Sequence, residues 1–159
     1  MPPLRQTSLL FLLRRGEVLL ARKKHGFGKG KVVGVGGHRQ TGESLEQAAV
    51  RETIEEIGVI PEELLLTARL TFHFAPPGSN WNMRTVAFTT TSWRGTPRES
   101  EEVAPIWYRL DHLPYEEMWE DARHWLPRIL AGEMLEASFT YDEAFELQDY
   151  RLREVSLLG

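Results

Sequence analysis

The sequence contains no cysteine, which removes disulfides, thiolate zinc sites and cysteine nucleophiles together. Any metal is left to oxygen or imidazole ligands. Long hydrophobic runs are missing too. The longest early one, residues 9–13, is far shorter than a membrane span and ends at Arg14 and Arg15, with no small-residue cleavage site behind it. A cytoplasmic protein with no membrane partner is therefore expected. There is no excess of positive charge: the formal net charge is -4, so no global field draws the chain to nucleic acid, although Arg22, Lys23 and Lys24 form a local basic patch that suits phosphate. Internal repeats, low-complexity tracts and linkers are also lacking.

What is present suits a folded domain. With 159 residues, 42% apolar and 26% charged, the chain is expected to form one compact domain over residues 1–159, as a monomer or homodimer. Residues 7–13 and 17–21 are two apolar runs separated by Arg14, Arg15 and Gly16, the pattern of a β-hairpin. Residues 23–37 follow, with six glycines among lysines and valines. That density implies close backbone approach, either in a surface loop or beside phosphate. It is not a Walker loop, because no Gly-Lys-Ser/Thr falls at the required spacing. Strand-like segments return at residues 67–74 and 83–93 around a turn-rich stretch, then at 106–110. Residues 118–131 are expected to be helical, with Pro127 kinking or restarting the helix, and residues 138–155 to form a terminal hairpin. Mixed strands with two helices give an α+β or α/β/α sandwich.

The most informative stretch is residues 37–59, GHRQTGESLEQAAVRETIEEIGV. Ser44 followed by Gln47 is a capping-box pattern, and Gly58 is a helix-ending glycine. At 100° per residue, Val50, Thr53, Ile54 and Ile57 share one arc, which is expected to face a core. Glu52, Glu55 and Glu56 share the other side, within roughly 120°, beside Leu45, Ala48 and Ala49. Three carboxylates this close repel one another, by several kcal/mol per pair at about 4 Å for an effective dielectric of about 20. A proton, Arg51 or a divalent cation must offset that, or the face is simply solvated. All-oxygen ligation favours Mg2+, with Mn2+ possible, and Mg2+ commonly bridges carboxylates to substrate phosphate.

This stretch resembles the Nudix box: Gly37, Glu43, Arg51, Glu52, Glu55, Glu56, Gly58 and Val59 all fall at its fixed offsets, and Thr53 alone departs from a usual aliphatic. The resemblance implies a Nudix-type α/β/α sandwich, a mixed sheet with the box helix and a C-terminal helix. It also implies a hydrolase of nucleoside diphosphate derivatives. Metal would lie on the Gly36 carbonyl, Glu52 and Glu56, with Glu55 as a further ligand or the group activating water, and Arg51 and Glu43 orienting the ligands.

Segments outside the box, LLARKKHGFGKG, GTPRESEE and LDHLPYEEMWEDARHWLP among them, are similar to the oxidised-purine nucleoside triphosphatase branch related to MutT. That likeness implies conversion of 8-oxo-dGTP or related purine triphosphates to monophosphate and pyrophosphate. Glu102 would be an additional ligand or base. Lys23, Phe27, Val33, Phe72, Met83, Trp119, Asp121 and Trp125 would line the nucleotide pocket. Aromatic faces and a thioether suit a base and a carboxylate suits its edge, while tryptophans also serve as plain core. Two positions depart from the branch, which has an asparagine where Val33 stands and an acidic residue where Ala122 stands. Both changes remove base-reading groups, which opens a broader purine or general dNTP range. Another nucleoside diphosphate derivative, ADP-ribose or a dinucleoside polyphosphate, is the alternative substrate.

Overall fold

The computed structural model describes residues 4–158. In chain order the strands are β1 Arg5–Arg14, β2 Glu17–Lys23, β3 Val32–Val33, β4 Val35–His38, β5 Ile60–Glu62, β6 Leu65–Phe74, β7 Met83–Thr90, β8 Ser92–Arg94, β9 Val103–Arg109, β10 Met134–Tyr141 and β11 Leu147–Val155. Helix α1, Leu45–Ile57, follows β4, and α2, Ala122–Leu130, precedes β10. The main sheet runs β11-β10-β6-β7-β1-β2-β3, with β4 also on β1 and β9 also on β2. It is mixed: β1 is parallel to β7 and β6 to β10, while the other pairs are antiparallel.

The arrangement turns on β1. One edge pairs with β7 over residues 5–12, but the other is divided, with residues 7–10 pairing β4 and residues 13 and 14 pairing β2. Strand β2 therefore diverges from β1 and takes β9 and β3 as partners. The cleft described below is lined from these same strands.

Alternation along β1 builds the layers, because successive side chains leave a strand on opposite faces. Leu10 and Leu12 pack with Ala49 and Ile57 of α1, whereas Phe11 packs with Trp125, Leu126 and Ile129 of α2. Each fully buried leucine or phenylalanine contributes about 1.5–3 kcal/mol. The result is the α/β/α sandwich that the resemblance implies, with one helix on each side.

Helix α1 has the anticipated ends. The Ser44 hydroxyl accepts from the Gln47 amide at 3.0 Å, the Gln47 side chain accepts from the Ser44 amide at 2.8 Å, and left-handed Gly58 donates to the Ile54 carbonyl at 3.0 Å. Its buried face differs from the expected one. Ala48, Ala49, Thr53, Glu56 and Ile57 are buried, Val50 is half-buried and Ile54 is 42% exposed. The two alanines explain the rotation: their small side chains let α1 lie close on β1 and β4, which draws Glu56 inward and leaves Ile54 outside. Helix α2 begins at Ala122 rather than residue 118, after a short 3-10 turn at Tyr115–Glu117, and Pro127 lies inside it. The terminal hairpin begins at Met134, before the expected residue 138.

Candidate active site

The acidic end of the site is assembled where α1 meets β4. Gly36 lies so close to β1 that a Cβ there would stand 1.9 Å from the Ser8 carbonyl oxygen, so only glycine fits. A Cβ on Gly37 would stand 2.7 Å from the Glu52 carboxyl carbon, so this glycine makes room for that side chain. The Gly36 amide donates to Glu56 Oε1 at 3.1 Å. Glu56 is only 9% exposed. Burial pushes it up to about 8; the Gly36 bond and Lys23 oppose this, while Glu52 and Glu102 reinforce it. Burial also pushes Glu52 up, against its bond from Arg51.

Arg51 holds this end together. Its guanidinium grips Glu43 through two bonds of 2.8 and 2.9 Å, reaches Glu52 at 2.9 Å and Glu55 at 3.3 Å, and donates to the His38 carbonyl at 3.0 Å. The Arg51 bonds hold Glu43 at about 2, aided by the Gln40 amide. The forked grip is the geometry that arginine, unlike lysine, supplies.

Glu55 is 58% exposed, faces Arg51 and lies off the main cleft. Glu102 is exposed on the turn before β9, where its carbonyl accepts from the Lys24 amide at 3.0 Å and its amide donates to Ser100 Oγ at 3.2 Å. Among the described residues no three acidic or histidine side chains form a closed metal cage. The donor chemistry nevertheless fits a hard divalent cation. Glu52 and Glu102 add negative charge beside the buried Glu56 carboxyl, and a cation on that carboxylate would relieve it.

From this end one cleft runs between the sheet and α2. It is lined by Lys23, Phe27, Val33, Gly36, Glu56, Phe72, Met83, Trp119, Asp121 and Trp125, so all eight residues expected to bind nucleotide meet in one place. Lys23 donates to the Phe27 carbonyl at 2.7 Å, and burial lowers its pKa. Phe27 stacks between two indoles, 4.7 Å from Trp81 and 5.4 Å from Trp119 between centroids. Asp121 is buried, and burial pushes its carboxyl up against bonds from Tyr141 and Trp125.

Several lining residues escape the sequence reading. Trp81 sits in a turn-rich stretch, where an aromatic gives no periodic signal; an isolated tryptophan among turn residues is the clue that could have flagged it. Phe74 shares the Phe72 face by simple alternation. Tyr141 ends a strand whose register with β6 brings it to Phe74. Ser8 is buried and lines the cleft, and its hydroxyl has no hydrogen-bond partner among the described residues. An unsatisfied buried hydroxyl beside a cleft is suited to a ligand.

Comparison with known proteins agrees with this geometry. The sequence profile of the NUDIX domain matches residues 3–129. The chain is 36% identical over 148 residues to the oxidized purine nucleoside triphosphate hydrolase of Mus musculus, covering 93% of this chain and 94% of that protein. The protein of the same name from Danio rerio matches with the same identity and coverage. Among solved structures, a MutT protein from Bacillus halodurans superimposes with a TM-score of 0.80 at 24% identity, covering 94% of this chain and 97% of that one, which speaks to the fold. No helix among the described residues is long and apolar enough to cross a membrane.

Proposed function

The chain belongs to the Nudix family, a family of hydrolases acting on phosphoric anhydride bonds, and on that premise we propose that it converts purine nucleoside triphosphates to monophosphate and pyrophosphate. The observation that carries this reading is the continuity of one cleft from Gly36 and Glu56 at the acidic end to Trp119 and Asp121 at the aromatic end. A nucleotide has the same polarity, with a metal-binding polyphosphate at one end and a flat, hydrogen-bonding base at the other. The names of the two relatives at 36% identity support an oxidised purine as the base. The loss of polar groups at Val33 and Ala122 favours a broader purine range.

Nudix hydrolases use divalent cations. Here the Gly36 carbonyl, Glu52, Glu56 and Glu102 would hold Mg2+ or Mn2+, with Glu55 at the margin. When bound, such a cation polarises the phosphate, acidifies a water and stabilises the departing pyrophosphate. The chain's own groups do the rest. The Gly36 amide orients Glu56, Arg51 orients Glu52, and Lys23 places positive charge beside the phosphates. Phe27, Phe72, Met83 and Trp119 exclude water around the base, and Asp121 reads its edge. Residues 1–159 would act as one domain, in the cytoplasm. The test is a panel of 8-oxo-dGTP, dGTP, dATP and ADP-ribose with Mg2+. Pyrophosphate from the triphosphates supports the reading, and cleavage of ADP-ribose alone refutes it.

A further inference from the structure

Asp121 lies at the aromatic end of the cleft, and the role assigned to it here rests on the nucleotide reading of that cleft. Asp121 occupies the position before α2, yet its side chain makes no capping bond to that helix. Its two oxygens go elsewhere. Oδ1 accepts the phenol proton of Tyr141 on β10 at 2.5 Å, and Oδ2 accepts the indole N–H of Trp125, one turn along α2, at 2.7 Å. The Asp121 amide donates to the same Tyr141 hydroxyl at 3.0 Å, which leaves the phenol proton directed at Oδ1. All three residues are buried, and all three line the cleft.

An indole N–H can only donate, and the phenol held in this way donates as well, so both carboxylate oxygens are acceptors. A carboxylate offers about four lone-pair directions, so about one remains free on each oxygen. Two adjacent free acceptors match two adjacent N–H groups. A guanine-type edge, with a ring N–H beside an exocyclic amine, supplies that pair. An adenine-type edge sets an amine beside an unprotonated ring nitrogen, which brings lone pair against lone pair. We propose that Tyr141 is a positioning residue for base selection: with Trp125 it fixes Asp121 as an acceptor-only carboxylate, which favours a guanine-type purine triphosphate over an adenine-type one.

The surrounding groups set how firmly that state is held. Burial pushes Asp121 up, while the Tyr141 and Trp125 bonds and the charge of His124 on α2 pull it down. Burial also raises the Tyr141 phenol, with Asp121 and Glu120 acting in the same direction, so the phenol keeps its proton. Removing the phenol hydroxyl deletes one downward pull, and the neutral acid then becomes available to donate to an adenine-type ring nitrogen.

The experiment compares kcat/KM for dGTP and dATP across pH in the native protein and in Tyr141→Phe. The metal site is common to both substrates, so its titration cancels in their ratio. The dGTP preference is expected to fall as pH drops, and the midpoint of that fall to lie higher in Tyr141→Phe, leaving the ratio about tenfold lower near neutrality. The 13C signal of the Asp121 carboxyl in the native protein and in Trp125→Phe reads the same shift without turnover, should Tyr141→Phe not fold. A pH-independent ratio in a protein that cleaves both nucleotides overturns this inference alone, as does a midpoint that does not move in either variant. A native protein that cleaves neither overturns the nucleotide reading together with it.

Discussion

Glu56 Oε1 accepts the Gly36 amide proton at 3.1 Å, which joins the inner face of α1 to the strand that runs against β1. The bond satisfies one oxygen of a buried carboxylate, and burial pushes that carboxyl up to about 8. The group is therefore uncomfortable when ionised without a cation.

Replacing Glu56 separates stability from activity. Its folded pKa of about 8 lies above the usual 4.5, so the contribution of Glu56 to the metal-free fold is fully present below pH 4.5 and is lost as pH rises through 8. Glu56→Gln should remove that loss, on the order of a few kcal/mol at alkaline pH, and flatten the pH dependence of melting in EDTA. The same variant should lose at least about a hundredfold in kcat with Mg2+, as for a lost metal ligand. Near-normal turnover would remove Glu56 from the site.

Arg51→Lys tests the hub. Lysine has no fork to hold Glu43, so the melting temperature at pH 7 should fall by several degrees, on the order of 5 °C. Glu43 is held at about 2, so its contribution is present above pH 4.5 and is lost as pH falls through 2. The gap between variant and native melting curves should thus narrow on acidification. A gap that is constant with pH would assign it to lost packing.

Ser8→Ala tests the unpartnered hydroxyl. No protein bond is lost, so melting should stay within about 1 kcal/mol of native or improve. If the hydroxyl meets substrate, kcat/KM should fall about tenfold. Unchanged kinetics would show that it does not meet substrate.

Phe27→Ala removes the ring between Trp81 and Trp119. The change lies at the aromatic end, so KM for purine triphosphates should rise about tenfold or more while kcat changes by a few-fold. A fall in kcat with KM unchanged would move Phe27 to the chemical step.

Much of this is legible in the sequence because it depends on local order. The Ser44/Gln47 box, the Gly58 stop and the strand alternation are set by neighbours in the chain, and the spacing from Gly37 to Val59 is a fixed pattern. Features that depend on distant partners are not. The buried face of α1 follows from how closely Ala48 and Ala49 let it approach β1 and β4, so periodicity alone misplaced Ile54. Tyr141 reaches Asp121 only through the register of β10 on β6. Trp81 joins Phe27 only because the turn before β7 folds back over the cleft.

In the proposed function one cleft binds a nucleoside triphosphate with its phosphates at Glu56 and its base at Asp121. The decisive measurement is product analysis of 8-oxo-dGTP and dGTP incubated with the native protein and Mg2+. Monophosphate and pyrophosphate are expected in equal amounts, and EDTA is expected to abolish both. Release of orthophosphate in place of pyrophosphate, or turnover that persists in EDTA, would contradict that function.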